Sequence, residues 1–329
     1  MKSIRVITAL FLIFALVFTV FWGKNFIIEQ KLTTEAESYL GVISMWQIDS
    51  FEGGVGSRKQ FLLKVARGFE KKNKGVLVMV SNMTKDGAEE NFKNGVFPDI
   101  ISYGNGLNLQ NVSEFEVTNT VKGGLVGDKV FATAWCRGGY AIITNPNCQK
   151  NSENNKLLIS KSEYTQPLIS LIVSDEQKTE NVEILQPMDA YVKFVSGKIK
   201  SFLGTQRDVN RLEARGMQVQ VSPLSGYNDL YQYVSITSSD QLKRYYSEKF
   251  VNYLVSEQVQ KQLNSIGMFS CFYNVEFQNE HLTQMQKMGE FQTISAFTSV
   301  QKINEMNRLS LLAMNGDKEA KIKIKNMLI

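Results

Sequence analysis

Between Val42 and Tyr103 the spacing of apolar residues switches back and forth between two periods. Residues 42–48 are a short apolar, β-favouring run, 49–56 are polar and glycine-rich, and Ser57 followed by Gln60 has the capping-box pattern that opens a helix. Phe61, Leu62, Val65, Ala66 and Phe69 then share one helical face, Lys71, Lys72 and Lys74 fall at its end, and Gly75 stands where a C-terminal cap belongs. Residues 76–80 are apolar without interruption, which predicts a parallel strand buried on both faces. A polar helix over 84–94 and a strand over 98–103 complete a βαβαβ pattern. Ligands of open α/β sheets collect at the carboxyl ends of the strands. That places residues 46–52 and 102–106 at a predicted crevice.

The same grammar returns in a second half. Residues 130–145 hold two β-rich pieces on either side of Cys136, Arg137, Gly138 and Gly139. A helix over 187–195 turns Ala190, Tyr191, Phe194 and Val195 inward and ends at Gly197. A strand over 199–203, a polar turn over 204–208, a helix over 209–215 closed by Gly216 and a strand over 217–221 follow, so a second sheet is expected to face the first. Residues 148–181 mix helical and strand signals.

The N-terminus bears on compartment. From Ile7 to Trp22 there is no charged residue, with Lys2 and Arg5 before the run and Lys24 after it. A membrane span takes about 20 apolar residues, with about 17 the lower limit, so this is a short anchor or a signal peptide. No small-x-small cleavage pattern follows, which favours an uncleaved anchor. The basic flank stays in the cytoplasm and the rest of the chain lies outside. A net charge of +5 is diluted over 329 residues, and no basic block is interleaved with aromatics, which argues against a nucleic-acid partner. Cys136, Cys148 and Cys271 form neither a disulfide framework nor a metal pattern. No metal or cofactor is called for.

Four segments carry a resemblance: PDIISYG, TAWCRGGYAIITN, SGKIKSFLGTQRD and FVNYLVSEQVQKQLNSIGMF. Together, in their order and spacing, they resemble the extracellular solute-binding proteins of ABC importers, in the sugar-binding group, from about Gly41 to the C-terminus. The resemblance implies an α/β, two-lobe fold of the periplasmic-binding-protein type (type II) with a hinge, here preceded by one membrane segment. Residues 1–38 would be anchor and linker, 39–133 plus 236–285 the first lobe, and 134–235 plus 286–329 the second. The hinge strands would be 130–133 and 233–237, and the helix over 241–255 would return to the first lobe. A lipid-anchoring cysteine is missing, and GTQRD stands where many sugar binders carry an aromatic.

Candidate ligand contacts are Trp46, Asp49, Glu52, Tyr103, Trp135, Arg137, Thr205, Gln206, Arg207 and Asp229. The aromatics could stack on a sugar ring or belong to the core. The arginines could bind ligand oxygens or sit at the surface. Asp49 and Glu52 could cap a helix, and Asp229 could be a turn residue. The loop 53–56 matches no phosphate-binding pattern. Three function classes follow: capture of a small solute, a carbohydrate by resemblance, for delivery to permease subunits; a ligand-sensing surface protein signalling to a membrane partner; or a glycoside hydrolase using Asp49, Glu52 or Asp229. Histidine-based catalysis is poorly supported, because His281 lies in a polar stretch far from the crevice. The import reading is the expected one, with no catalytic residue.

Overall fold

The computed structural model of the protein describes residues 39–49, 51, 54–148, 156–174, 181–287 and 291–329, together with Phe14, Val17 and Phe18. Apart from those three residues the expected anchor lies outside the described residues, as does Glu52. No helix among the described residues is long and apolar enough to cross a membrane.

The predicted βαβαβ unit forms. β1 (Gly41–Gln47) is flanked in parallel by β2 (Val76–Asn82) and β3 (Ile100–Tyr103), with α1 (Arg58–Lys72) and α2 (Lys85–Lys93) as crossovers. Ser57 caps α1 by accepting from the Gln60 amide at 3.3 Å. One expectation fails at β2. It lies at the edge of the sheet, where only one face meets a helix, so Val76, Val78 and Val80 are buried while Leu77 and Met79 are 56% and 58% exposed.

After a small ribbon of β4 (Leu125–Val126) and β5 (Lys129–Val130), β6 (Thr133–Arg137) joins the first sheet and β7 (Tyr140–Thr144) the second. The second sheet has the order β11-β7-β10-β8-β9, built from β8 (Leu157–Ser160), β9 (Val182–Leu185), β10 (Ser201–Thr205) and β11 (Gln220–Pro223). Its helices are α3 (Pro167–Val173), α4 (Pro187–Val195) and α5 (Gln206–Glu213); α3 and α4 open on prolines, whose missing N–H costs nothing at a helix start. β12 (Tyr231–Ile236) then returns antiparallel between β3 and β6, giving the first sheet the order β2-β1-β3-β12-β6.

Two placements differ from expectation. Both 130–133 and 233–237 contribute to the first sheet or its ribbon, so the chain passes between sheets at Gly138–Gly139 and again between Pro223 and Tyr231. Glycine is required there: a Cβ on Gly138 would come within 2.7 Å of Gln206 Oε1, the oxygen that accepts from the Gly139 amide at 3.0 Å. The turn expected over 204–208 is the end of β10 and the first turn of α5. Thr205 and Asp208 form a capping box that winds those polar residues into helix.

Each sheet has its own core. Phe61, Leu62 and Phe69 of α1 pack with Ile43 and Met45 of β1 and with Phe250 and Leu254 of α6 (Gln241–Leu254). In the second sheet Tyr191 and Phe194 of α4 and Val209 and Leu212 of α5 cover Ile143 and Phe202. The short α7 (Glu257–Gln260) and then α8 (Glu280–Gln286) follow, and α8 packs on α5. The last two helices, α9 (Val300–Met314) and α10 (Lys318–Met327), pack on α3 through Ile303, Met306 and Ile324.

Candidate functional site

The carboxyl ends of β8 and β10 open toward the loops that follow β1 and β3. Lys85 Nζ of α2 stands 4.2 Å from the centre of the Tyr164 ring, which belongs to the loop after β8. Gly106, at φ +82° in the loop after β3, lies so close to the same ring that a Cβ would be 3.1 Å from it. Asn105 donates to the Asp229 carbonyl at 2.8 Å. The two halves therefore meet at a seam where strands of both sheets end.

In that seam lies a cavity of about 330 Å³. Phe51 reaches it from the loop after β1; Tyr140, Tyr164 and Tyr191 reach it from the second sheet and its helices. Between the rings lie the hydroxyls of Ser162, Thr165 and Thr205, with Gly204 exposing backbone. The charges balance: Lys161 and Arg211 against Glu163 and Asp208. Asp208 is already engaged, since its Oδ2 accepts from the Thr205 amide at 2.8 Å. The Arg211 guanidinium carbon lies over Tyr191, 3.5 Å from the ring centre. Tyr191 lines the cavity, but its hydroxyl is fully buried, out of reach of a molecule held there, and has no hydrogen-bond partner among the described residues.

The Phe51 loop is held from beneath by Arg58, which is buried. Its Nε pairs with Asp49 at 2.7 Å, one NH₂ group donates to Gln232 Oε1 at 2.9 Å, and the other donates to the Phe51 carbonyl. The guanidinium also lies 4.5 Å from the Phe51 ring centre. Nothing in the residue pattern marked Arg58, because it sits where α1 begins and looks like an ordinary surface position.

Asp229, just before β12, is fully buried behind Tyr140. Its two oxygens accept from the Tyr140 hydroxyl and the Gln166 amide, both at 2.7 Å. Burial pushes its carboxyl up to about 6, and those two donors hold back part of the rise.

The other expected contacts scatter. Trp135 is fully buried, stacked on Phe61 at 5.7 Å, with Nε1 donating to Ser102 Oγ at 2.9 Å. Tyr103 is also in the core, hydrogen-bonded to Ser235 at 3.0 Å. Trp46 stacks on Phe92 of α2 at 6.0 Å, because alternation along β1 turns it away from α1. Asp49 is taken by Arg58, and Gln206 is buried under the glycine pair. Arg207 is half-buried and lines neither large cavity, whereas Arg137 lines a different one. Among the described residues of the expected set, only Thr205 lines the aromatic cavity. Cys136 and Cys271 are free thiols, and Cys148 Sγ donates to the Gly197 carbonyl at 2.9 Å. Phe51, Tyr140, Tyr164 and Tyr191 carried no sequence signal separating them from core aromatics, and Tyr164 falls in the segment whose pattern was mixed.

The sequence matches no protein-family model and no curated protein. Its structure superposes on the ligand-free maltodextrin-binding protein MalE1 of L. casei BL23 with a TM-score of 0.61 at 12% identity, over 88% of this chain and 99% of that one. The sugar-binding protein MalE of Xanthomonas citri gives 0.60 at 12% identity, over 87% and 95%. The fold is that of a two-lobe solute-binding protein. Iron-bound HitA of Pseudomonas aeruginosa shares it too, with a TM-score of 0.53 at 9% identity over 82% of this chain and 99% of that one. Solute-binding folds thus hold cargoes as different as maltodextrin and iron, so the ligand class must be argued from the cavity. Among the described residues no cluster of His, Cys, Asp or Glu could hold a metal ion.

Proposed function

We propose that the protein captures a small neutral carbohydrate in the aromatic cavity and delivers it to the permease subunits of an ABC importer. The observation that carries this reading is the lining itself. Five aromatic rings, Phe202 among them, interleaved hydroxyls and balanced charge match a ligand with flat apolar faces and many hydroxyls, and a cavity of about 330 Å³ lies within the usual range for small-molecule sites. In this reading 1–38 anchor the chain outside the cytoplasm, and the two lobes close about the passages at 138–139 and 224–230. One membrane segment forms no transport path, so separate permease subunits are required.

Binding is favoured over hydrolysis because the three aspartates described at the seam have other work, and Glu163 alone does not make the carboxylate pair that glycoside hydrolysis takes. Asp49 pairs with Arg58, Asp208 caps α5, and Asp229 is sealed behind Tyr140. The experiment is a thermal-shift screen of the full chain against neutral mono- and oligosaccharides, with amino acids and ferric iron alongside. A saccharide at 100 times its dissociation constant is expected to add about 2.7 kcal/mol of stability. A shift with an amino acid or iron and none with any saccharide would overturn the carbohydrate assignment.

A further inference from the structure

A larger cavity, of about 610 Å³, lies on the opposite side of the returning strand. Leu230 lines the aromatic cavity and its neighbour Tyr231 lines this one, as alternation along extended chain requires. Its chemistry is of another kind. Arg137 at the end of β6 is only 7% exposed, and its guanidinium lies 5.2 Å from the ring centres of both Phe269 and Phe291. Of its five N–H donors, one meets the Gln286 carbonyl at 2.8 Å and another reaches the Gly138 carbonyl at 3.4 Å. No carboxylate among the described residues pairs with it. Arg58 is buried to a similar degree and has Asp49.

The rest of the described lining adds positive charge and no negative charge. Lys122 and Lys287 stand exposed at the rim without a carboxylate partner among the described residues, and the described lining contains no Asp or Glu. Burial pushes the Cys271 thiol up to about 12, so it stays neutral. Ser270 and Thr120 already donate, to Gln260 Oε1 at 2.6 Å and to the Ala132 carbonyl at 3.3 Å. A buried cation lacking a counter-charge is costly, and a guanidinium with unused donors offers two parallel bonds to a carboxylate. Phe272 and Phe291 supply apolar wall beside it.

We propose that this cavity is a second binding site, taking a small organic carboxylate with its head group on Arg137 and its apolar body against Phe272 and Phe291. The site is independent of the carbohydrate reading, since it shares no lining residue with the aromatic cavity. Calorimetric titration of the full chain with benzoate tests it, with benzamide as the neutral isostere and inorganic phosphate as a second anion. Benzoate is expected to bind one site, benzamide to give no binding, and phosphate to bind more weakly. Arg137→Gln should weaken benzoate about tenfold or more, and the Lys122→Gln/Lys287→Gln double variant about threefold. The double variant leaves the buried core untouched, so it decides the matter if Arg137→Gln does not fold. Absence of benzoate binding at millimolar concentration, equal affinity for benzamide or phosphate, or wild-type benzoate affinity in the double variant would overturn the proposal.

Discussion

Trp135→Ala is expected to lower the stability of the folded chain by about 3 to 5 kcal/mol, the range for removing a large aromatic from a packed core. The indole has no exposed surface, stacks at an interplanar angle of 9° on Phe61, and donates to Ser102 Oγ. Ser102 Oγ also accepts from Gln232 Nε2 at 3.1 Å, and Gln232 is the residue that Arg58 grips. Truncation therefore opens a cavity and loosens the hydrogen bonds behind the Phe51 loop. Trp135→Phe keeps most of the ring and loses one hydrogen bond, so its cost should be about 1 to 2 kcal/mol. Urea unfolding midpoints measure both. A loss below about 1 kcal/mol for the alanine variant would show that the indole is not packed as described.

Stability should also fall as pH rises from about 4 to about 6.5, through the titration of Asp229. Its carboxyl is raised to about 6 in the folded protein because it is buried, against the ordinary value of 3.8. A group whose folded pKa is raised binds its proton more tightly in the folded state, so its contribution is fully present below the unfolded value and is lost as pH passes the folded one. The shift corresponds to about 3 kcal/mol. Protonation is compatible with the local geometry, since the Tyr140 hydroxyl can turn from donor to acceptor while the Gln166 amide keeps its bond to the other oxygen. Asp229→Asn cannot ionise. The stability difference between this variant and wild type should therefore swing in favour of the variant by about 3 kcal/mol across that window. A parallel pH dependence in the two proteins would show that Asp229 does not titrate there.

The first sheet was legible because its signals were local and redundant. Ser57 and the helical face from Phe61 to Phe69 mark the start and the buried side of α1, whose C-cap is Asn73, two residues before the expected Gly75. The apolar run of β2 misled because period and composition report how many apolar residues a strand has; its position at the sheet edge depends on which strands pair. The site was far less legible. Trp135 and Tyr103 look from the chain like aromatics at strand ends beside polar loops, and what separates them from Tyr140 and Tyr164 is tertiary: the first two are held inside the first sheet by Ser102 and Ser235, and the second two border the seam. Arg58 was invisible for a related reason: its partners Asp49, Phe51 and Gln232 come from two distant parts of the chain. The capping box of α5 could have been read from Thr205 and Asp208, and it moves GTQRD from a free loop to a helix start.

The central claim is that a neutral saccharide binds between Phe51 and Tyr164 in the seam between the two sheets. The measurement that tests it most directly is calorimetric titration of the saccharide identified by thermal shift against wild type, Phe51→Ala and Tyr164→Ala. Each variant should bind more weakly by about 0.5 to 1.5 kcal/mol or more, the value of an aromatic contact beyond its buried area, with the fold intact. Wild-type affinity in both variants would contradict the account and place the ligand elsewhere.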